Sequence, residues 1–296
     1  MLAAVLLLVA ACGPAATTPP PVASPPASQA AGGVLPQIIS SELVKGPNRI
    51  VFSFLDASGT TPMGSPDRTA TIQFRGPGGE SIAAPAAQFI WAIEDVSGVY
   101  VTHADFPVAG PWTALFETSA PGSPAETIRF SFDVKDDARV VVTGEKAPSV
   151  DKPTLADVGG DLAKISTDET PVAAFYESSV ADALAAREPF VLAFATPKFC
   201  VTKTCGPTLD KLKPIATAHP EVTFINVEPY QLEEVDGQLQ PVLGDANQLQ
   251  TVPATDAYGL QTEPFVFVVG SDGIVKASFE LIFAPDEINE ALAGLS

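Results

Sequence analysis

Phe190-Val191-Leu192-Ala193-Phe194-Ala195-Thr196-Pro197-Lys198-Phe199-Cys200-Val201-Thr202-Lys203-Thr204-Cys205-Gly206-Pro207 is the stretch on which the reading of this sequence turns. Its first six residues form a continuous apolar run after Pro189, the pattern of a strand buried on both faces. A polar loop follows that holds two cysteines, Cys200 and Cys205, with four residues between them. From Thr208 to about Ala218, Leu209, Leu212 and Ile215 recur at helical spacing. The local expectation is strand, cysteine loop, helix.

Upstream, Ser178 or Ser179 is placed to cap a helix running to about Arg187, with Val180, Ala183 and Leu184 on one face. Downstream, Val222 to Val227 reads as a second buried strand. Phe265–Val269 and Ile274–Leu281 flank Gly270-Ser271-Asp272-Gly273, a hairpin signal. Ala284-Pro285-Asp286 opens a last helix to Leu295, with proline near its start. Glu228 to Thr255, rich in proline, glutamine and acid, reads as an insertion.

Across about residues 175–296 this order resembles the thioredoxin fold. Tyr258-Gly259-Leu260-Gln261-Thr262-Glu263-Pro264 is similar to that family's stretch ending in a cis-proline that faces the active-site cysteines, which implies Pro264 as a site residue. Cys205-Gly206-Pro207-Thr208 resembles the start of the family's Cys-Gly-Pro-Cys, with Thr208 where the second cysteine would stand and Cys200 supplying the partner thiol. The sequence departs from the family in its longer loop, in Phe199 before the first cysteine instead of tryptophan, and in Ala193 near the usual place of a buried acid. The resemblance implies an α/β thioredoxin-like domain at 162–296 and thiol–disulfide exchange with a protein partner.

In such exchange a thiolate attacks a disulfide and a second thiol resolves the mixed disulfide. A helix N-terminus lowers a thiol pKa by placing partial positive charge beside sulfur. Cys205 directly precedes the predicted helix, and Cys200 lies up the loop near Lys198. The resemblance gives the attacking role to Cys200. A purely structural disulfide is the alternative, since close thiols oxidise outside the cytoplasm. Closing so short a loop stabilises by less than the roughly 3 kcal/mol of a fifteen-residue one. Copper handling would need a histidine, and His219, at the end of the helix, is poorly placed. A peroxidase motif would need threonine where Pro197 stands. No cofactor and no metal are expected.

Between 36 and 145 the pattern changes to short alternating runs separated by Gly/Pro turns: Arg49–Leu55, Thr69–Phe74, Phe89–Ile93, Val99–Ala104, Trp112–Glu117 and Thr127–Val134. Such spacing without a helix predicts an all-β sandwich. Gly98 to Trp112 resembles the strand–turn–strand of immunoglobulin-like domains on bacterial envelope proteins, with Tyr100 and Trp112 as core pieces. His103, beside Asp105, has no second histidine, cysteine or methionine cluster near it in sequence and reads as a surface residue. The fold class expected is therefore an all-β immunoglobulin-like sandwich followed by an α/β thioredoxin-like domain, joined by a linker at 146–161 with Pro148 and Pro153.

At the N-terminus, Leu2 to Ala11 is an apolar run too short for a permanent membrane span. It ends Val9-Ala10-Ala11-Cys12, which resembles the bacterial lipobox and implies cleavage before Cys12 and lipidation of its thiol. Residues 13–35, including Pro19-Pro20-Pro21 and Pro25-Pro26, read as an extended tether. A lipid-anchored, extracytoplasmic protein is expected, held to the membrane through Cys12. The net charge of −19 over 296 residues would repel a phosphate backbone, so no nucleic-acid partner is expected.

Overall fold

A computed structural model describes residues 33–295. The lipobox-like run ending at Cys12 and the tether up to residue 32 lie outside the described residues.

The N-terminal half is built from eight strands: β1 (Leu35–Ile38), β2 (Gly46–Leu55), β3 (Thr69–Arg75), β4 (Ser81–Ala83), β5 (Gln88–Ile93), β6 (Ser97–Phe106), β7 (Gly110–Ser119) and β8 (Glu126–Val134). They form two antiparallel four-stranded sheets, β1-β2-β6-β5 and β4-β3-β7-β8. Alternation decides which side chains meet. Phe52, Phe54, Tyr100 and Phe106 from one sheet pack with Ile72, Phe74, Trp112 and Phe116 from the other. Tyr100 and Trp112 are both buried there, and each polar tip finds a backbone oxygen: Tyr100 Oη donates to the Ser65 carbonyl and Trp112 Nε1 to that of Val108. Gly98 is required by packing, because a Cβ there would collide with the Phe89 ring.

The C-terminal half centres on a mixed sheet of β9 (Phe190–Phe194), β10 (Thr223–Val227), β13 (Phe265–Val269) and β14 (Val275–Glu280), in the order β10-β9-β13-β14. Only β9 and β10 are parallel. Every residue of β9 and β13 is buried, as continuous apolar runs require. One face, through Val191, Ala193, Val266 and Val268, packs on α2 (Cys205–Ala218) and α4 (Pro285–Ala293). The other, through Phe190, Leu192, Phe194, Phe265 and Phe267, packs on α1 (Val180–Ala186), Tyr258 and Val140, Val141 and Ala147. Ser179 caps α1 in a capping box with Asp182.

Residues 141–147 extend the sheet beyond β14. Gly144 N–H donates to Val275 O, Val275 N–H to Glu145 O and Ala147 N–H to Gly273 O, at 2.8–2.9 Å. Gly259 holds φ +68°, and a Cβ there would strike the Arg139 carbonyl, so this segment rests directly on the backbone near Tyr258. The two halves then close on each other. The outer face of β2, β5 and β6, with Val51, Ile90, Val99 and Val101, buries Ile282. Beside it Arg49 grips the Glu287 carboxylate twice, at 2.7 and 2.8 Å, donates to the Ile282 carbonyl and lies over the Phe279 ring.

The class expected from the sequence is overturned. In place of an immunoglobulin-like sandwich followed by an α/β thioredoxin-like domain, the described residues form a mostly β chain of four sheets with only four α-helices, and no clear thioredoxin-like domain stands apart. The connection from β10 to β13 shows why. It holds an antiparallel ribbon, β11 (Leu232–Val235) with β12 (Gln238–Pro241), and a single-turn α3 (Pro253–Ala257), not a crossover helix. One face of the sheet is covered by irregular chain as well as by α1, so helix layers account for only part of the burial of β9.

Candidate thiol site

Cys200 and Cys205 are joined in a disulfide with their Cα atoms 6.0 Å apart. The helix begins three residues earlier than its apolar periodicity predicts, so Cys205 is the first residue of α2 and not the residue before it. The reason is local: the first turn has no intrahelical acceptors for its N–H groups, so Pro207 is tolerated there. Cys205 is fully buried, whereas Cys200 is half-buried and adjoins the exposed Val201. Cys205 N–H donates to Cys200 Sγ at 3.2 Å, which directs the N-terminal field of a fourteen-residue helix onto the outer sulfur.

The loop is fastened to Glu263, two residues before β13. Val201 N–H donates to Glu263 Oε1 at 2.7 Å, and the Thr202 hydroxyl donates to the Glu263 carbonyl at 2.8 Å. Thr202 Oγ1 also lies 3.3 Å from Cys200 Sγ. Glu263 is 3% exposed, and its other carboxylate oxygen accepts from Tyr230 Oη at 2.5 Å. Burial, together with the hydrogen bond and charge of Glu263, pushes the Tyr230 phenol well above its ordinary range. The two sulfurs and a Glu263 carboxylate oxygen lie within 4.8 Å of one another. Pro264 is buried, its bond to Glu263 is cis, and its carbonyl accepts from Leu281 N–H at 2.9 Å.

A second acid lies under the loop. Glu228, just after β10, accepts from Thr167 N–H at 2.7 Å and from Thr167 Oγ1 at 2.9 Å, and Thr167 in turn meets Thr196 and the Lys198 amide. Burial drives its carboxyl up to about 7, against the lowering effect of these hydrogen bonds.

The fold brings Cys200, Cys205 and the Glu263–Pro264 bond together. His103 sits apart, exposed on β6 opposite Arg49, and desolvation and the Arg49 charge lower its pKa. His219 is at the end of α2, 3.1 Å from Glu221, and away from the sulfurs. Cys12 lies outside the described residues. Glu263, Tyr230, Thr202 and Glu228 were not singled out in the sequence. Glu263 directly precedes Pro264, and Tyr230 lies in the segment taken as an insertion. Asp236-Gly237 was the signal there: both residues hold positive φ and turn β11 into β12.

No helix among the described residues is long and apolar enough to cross a membrane. No family model and no curated protein matches the chain. Among solved structures, it is similar to a DUF4426 family protein from Pseudomonas aeruginosa PAO1, at 15% identity over 36% of this chain and 91% of that one, with a TM-score of 0.28. A superposition at that level assigns neither fold nor activity.

Proposed function

We propose that this chain is an extracytoplasmic, lipid-anchored thiol–disulfide exchange protein that acts on a protein partner through Cys200 and Cys205. The observation that carries the reading is the asymmetry of the pair. Cys200 is the outer sulfur, accepting the first N–H of α2, while Cys205 is wholly buried behind it. In the reduced protein that N–H and the helix terminus favour the Cys200 thiolate, which makes it the attacking group. It displaces one sulfur of a partner disulfide as thiolate and forms a mixed disulfide. Cys205, once deprotonated, attacks Cys200 Sγ, releases the second partner sulfur and restores the bond seen here. Exposed Val201, Lys198 and Lys203 surround Cys200 and offer the partner an apolar contact beside positive charge. The anchoring half of the proposal rests on the lipobox-like Val9 to Cys12 and the Pro-rich tether that follows it.

Trapping tests the roles. Cys205→Ser should accumulate mixed disulfides through Cys200, and Cys200→Ser should not. If neither variant traps a partner, the disulfide only braces the loop.

A further inference from the structure

The exchange reading uses two sulfurs and leaves Glu263 without a part. It is a carboxylate buried in the same site, with donor atoms of all three residues within 4.8 Å. We infer that, once the disulfide is reduced, Cys200, Cys205 and Glu263 form a three-donor site for a divalent cation of the zinc class.

The donor set selects the ion. Two thiolates exclude the hard cations calcium and magnesium, which take oxygen ligands. The carboxylate oxygen makes the set less suited to Cu(I), which soft sulfur donors select. Two sulfurs, one oxygen and a fourth position for water match a tetrahedral zinc ion. With Zn–S bonds of about 2.3 Å, tetrahedral geometry needs sulfurs about 3.7 Å apart, a separation open to two thiolates and closed to a disulfide. The carboxylate is already oriented by Val201 N–H at 2.7 Å and Tyr230 Oη at 2.5 Å, the kind of supporting shell that fixes a metal ligand. Charge points the same way. Two thiolates beside a buried carboxylate would gather three negative charges in one place, and a divalent cation offsets that repulsion.

The site is therefore gated by redox state. A dithiol reductant gives two electrons and two protons to the Cys200–Cys205 bond and is itself oxidised to a disulfide. The cation then displaces both thiol protons, which leave to solvent. The inference rests on the exchange reading only in requiring that the pair be reducible.

The test uses the full chain carrying Cys12→Ala, reduced with a dithiol, freed of reductant without air, and titrated with zinc against a chromophoric chelator. The reduced protein should take up one equivalent and the oxidised protein none. Glu263→Gln should weaken uptake about tenfold or more, and Co²⁺ in place of zinc should give a thiolate-to-metal charge-transfer band only after reduction. Should Glu263→Gln fail to fold, Cys200→Ser, altered at a half-buried position, must lose binding by at least the same factor. A thiol count of two with no zinc uptake overturns the metal site while leaving exchange intact. Wild-type affinity in Glu263→Gln overturns it as well. A thiol count that stays at zero overturns both readings.

Discussion

Arg49→Ala tests how the two halves are held together. Arg49 and Glu287 are 10% and 16% exposed, and the guanidinium also serves the Ile282 carbonyl and the Phe279 ring. Deleting it leaves Glu287 largely buried without its charge partner, retaining the Ala284 N–H as a donor, a change that costs about 3–5 kcal/mol for a buried pair. Because both side chains retain some contact with water, the lower end, about 3 kcal/mol, is expected. The pH dependence carries a second signature. Burial alone would raise the Glu287 carboxyl, but the hydrogen bonds and charge of Arg49 outweigh it and hold the group below its ordinary value. In the wild type this contributes stability above the unfolded carboxyl pKa, lost as pH falls through the depressed folded one. Without Arg49 the largest lowering effects are gone and burial is opposed only by the Ala284 N–H and the His103 charge, so the loss of stability on acidification should shrink. Urea titration should be followed by tryptophan fluorescence and by far-ultraviolet dichroism. Trp91 and Trp112 both lie in the N-terminal half, so the two probes separate if the halves uncouple. A loss within about 0.5 kcal/mol, the range of an ordinary surface change, would refute the argument that this pair seals the contact.

Glu228 gives a separate pH effect. Its folded pKa of about 7 exceeds the ordinary 4.5, so the folded chain holds a proton the unfolded chain has lost, and stability should fall between those two pH values. Glu228→Gln should flatten that fall, and an unchanged pH profile in the variant would dismiss the buried acid. A fragment beginning at residue 162 lacks Val140, Val141 and Ala147 from the C-terminal core and should melt without a cooperative transition, whereas one beginning at 136 should fold. Equal cooperativity of the two by calorimetry would remove the structural role given to 141–147. Cys12→Ala should move the protein from the detergent phase to the aqueous phase, and a wild type already aqueous would end the anchoring proposal.

Most strands were legible, because alternation and continuous apolar runs report burial directly. β2, β3 and β5 to β10 fall where those runs lie, as do β13 and β14. β1 and β4, of four and three residues, are too short to show a period. The class was misread for a physical reason. A run such as Phe190 to Ala195 says that both faces of a strand are covered, but not by what. Here Val140, Val141 and Ala147 cover much of one face, and that contact joins residues more than forty positions apart. The cysteines were legible as a close pair before a helix. Glu263 was not, because its approach to Val201 spans 62 residues and depends on the tertiary fold.

The central claim is that the Cys200–Cys205 pair exchanges, and its reduction potential tests that most directly. The N–H of Cys205 on Cys200 Sγ and the N-terminus of α2 stabilise the thiolate and so favour the reduced form. Equilibration of the Cys12→Ala chain with glutathione redox buffers, read by thiol alkylation, should place the pair well above ~−300 mV, below which structural disulfides of secreted proteins typically lie. A potential at or below that value would contradict the exchange assignment and leave the disulfide a brace between α2 and its loop.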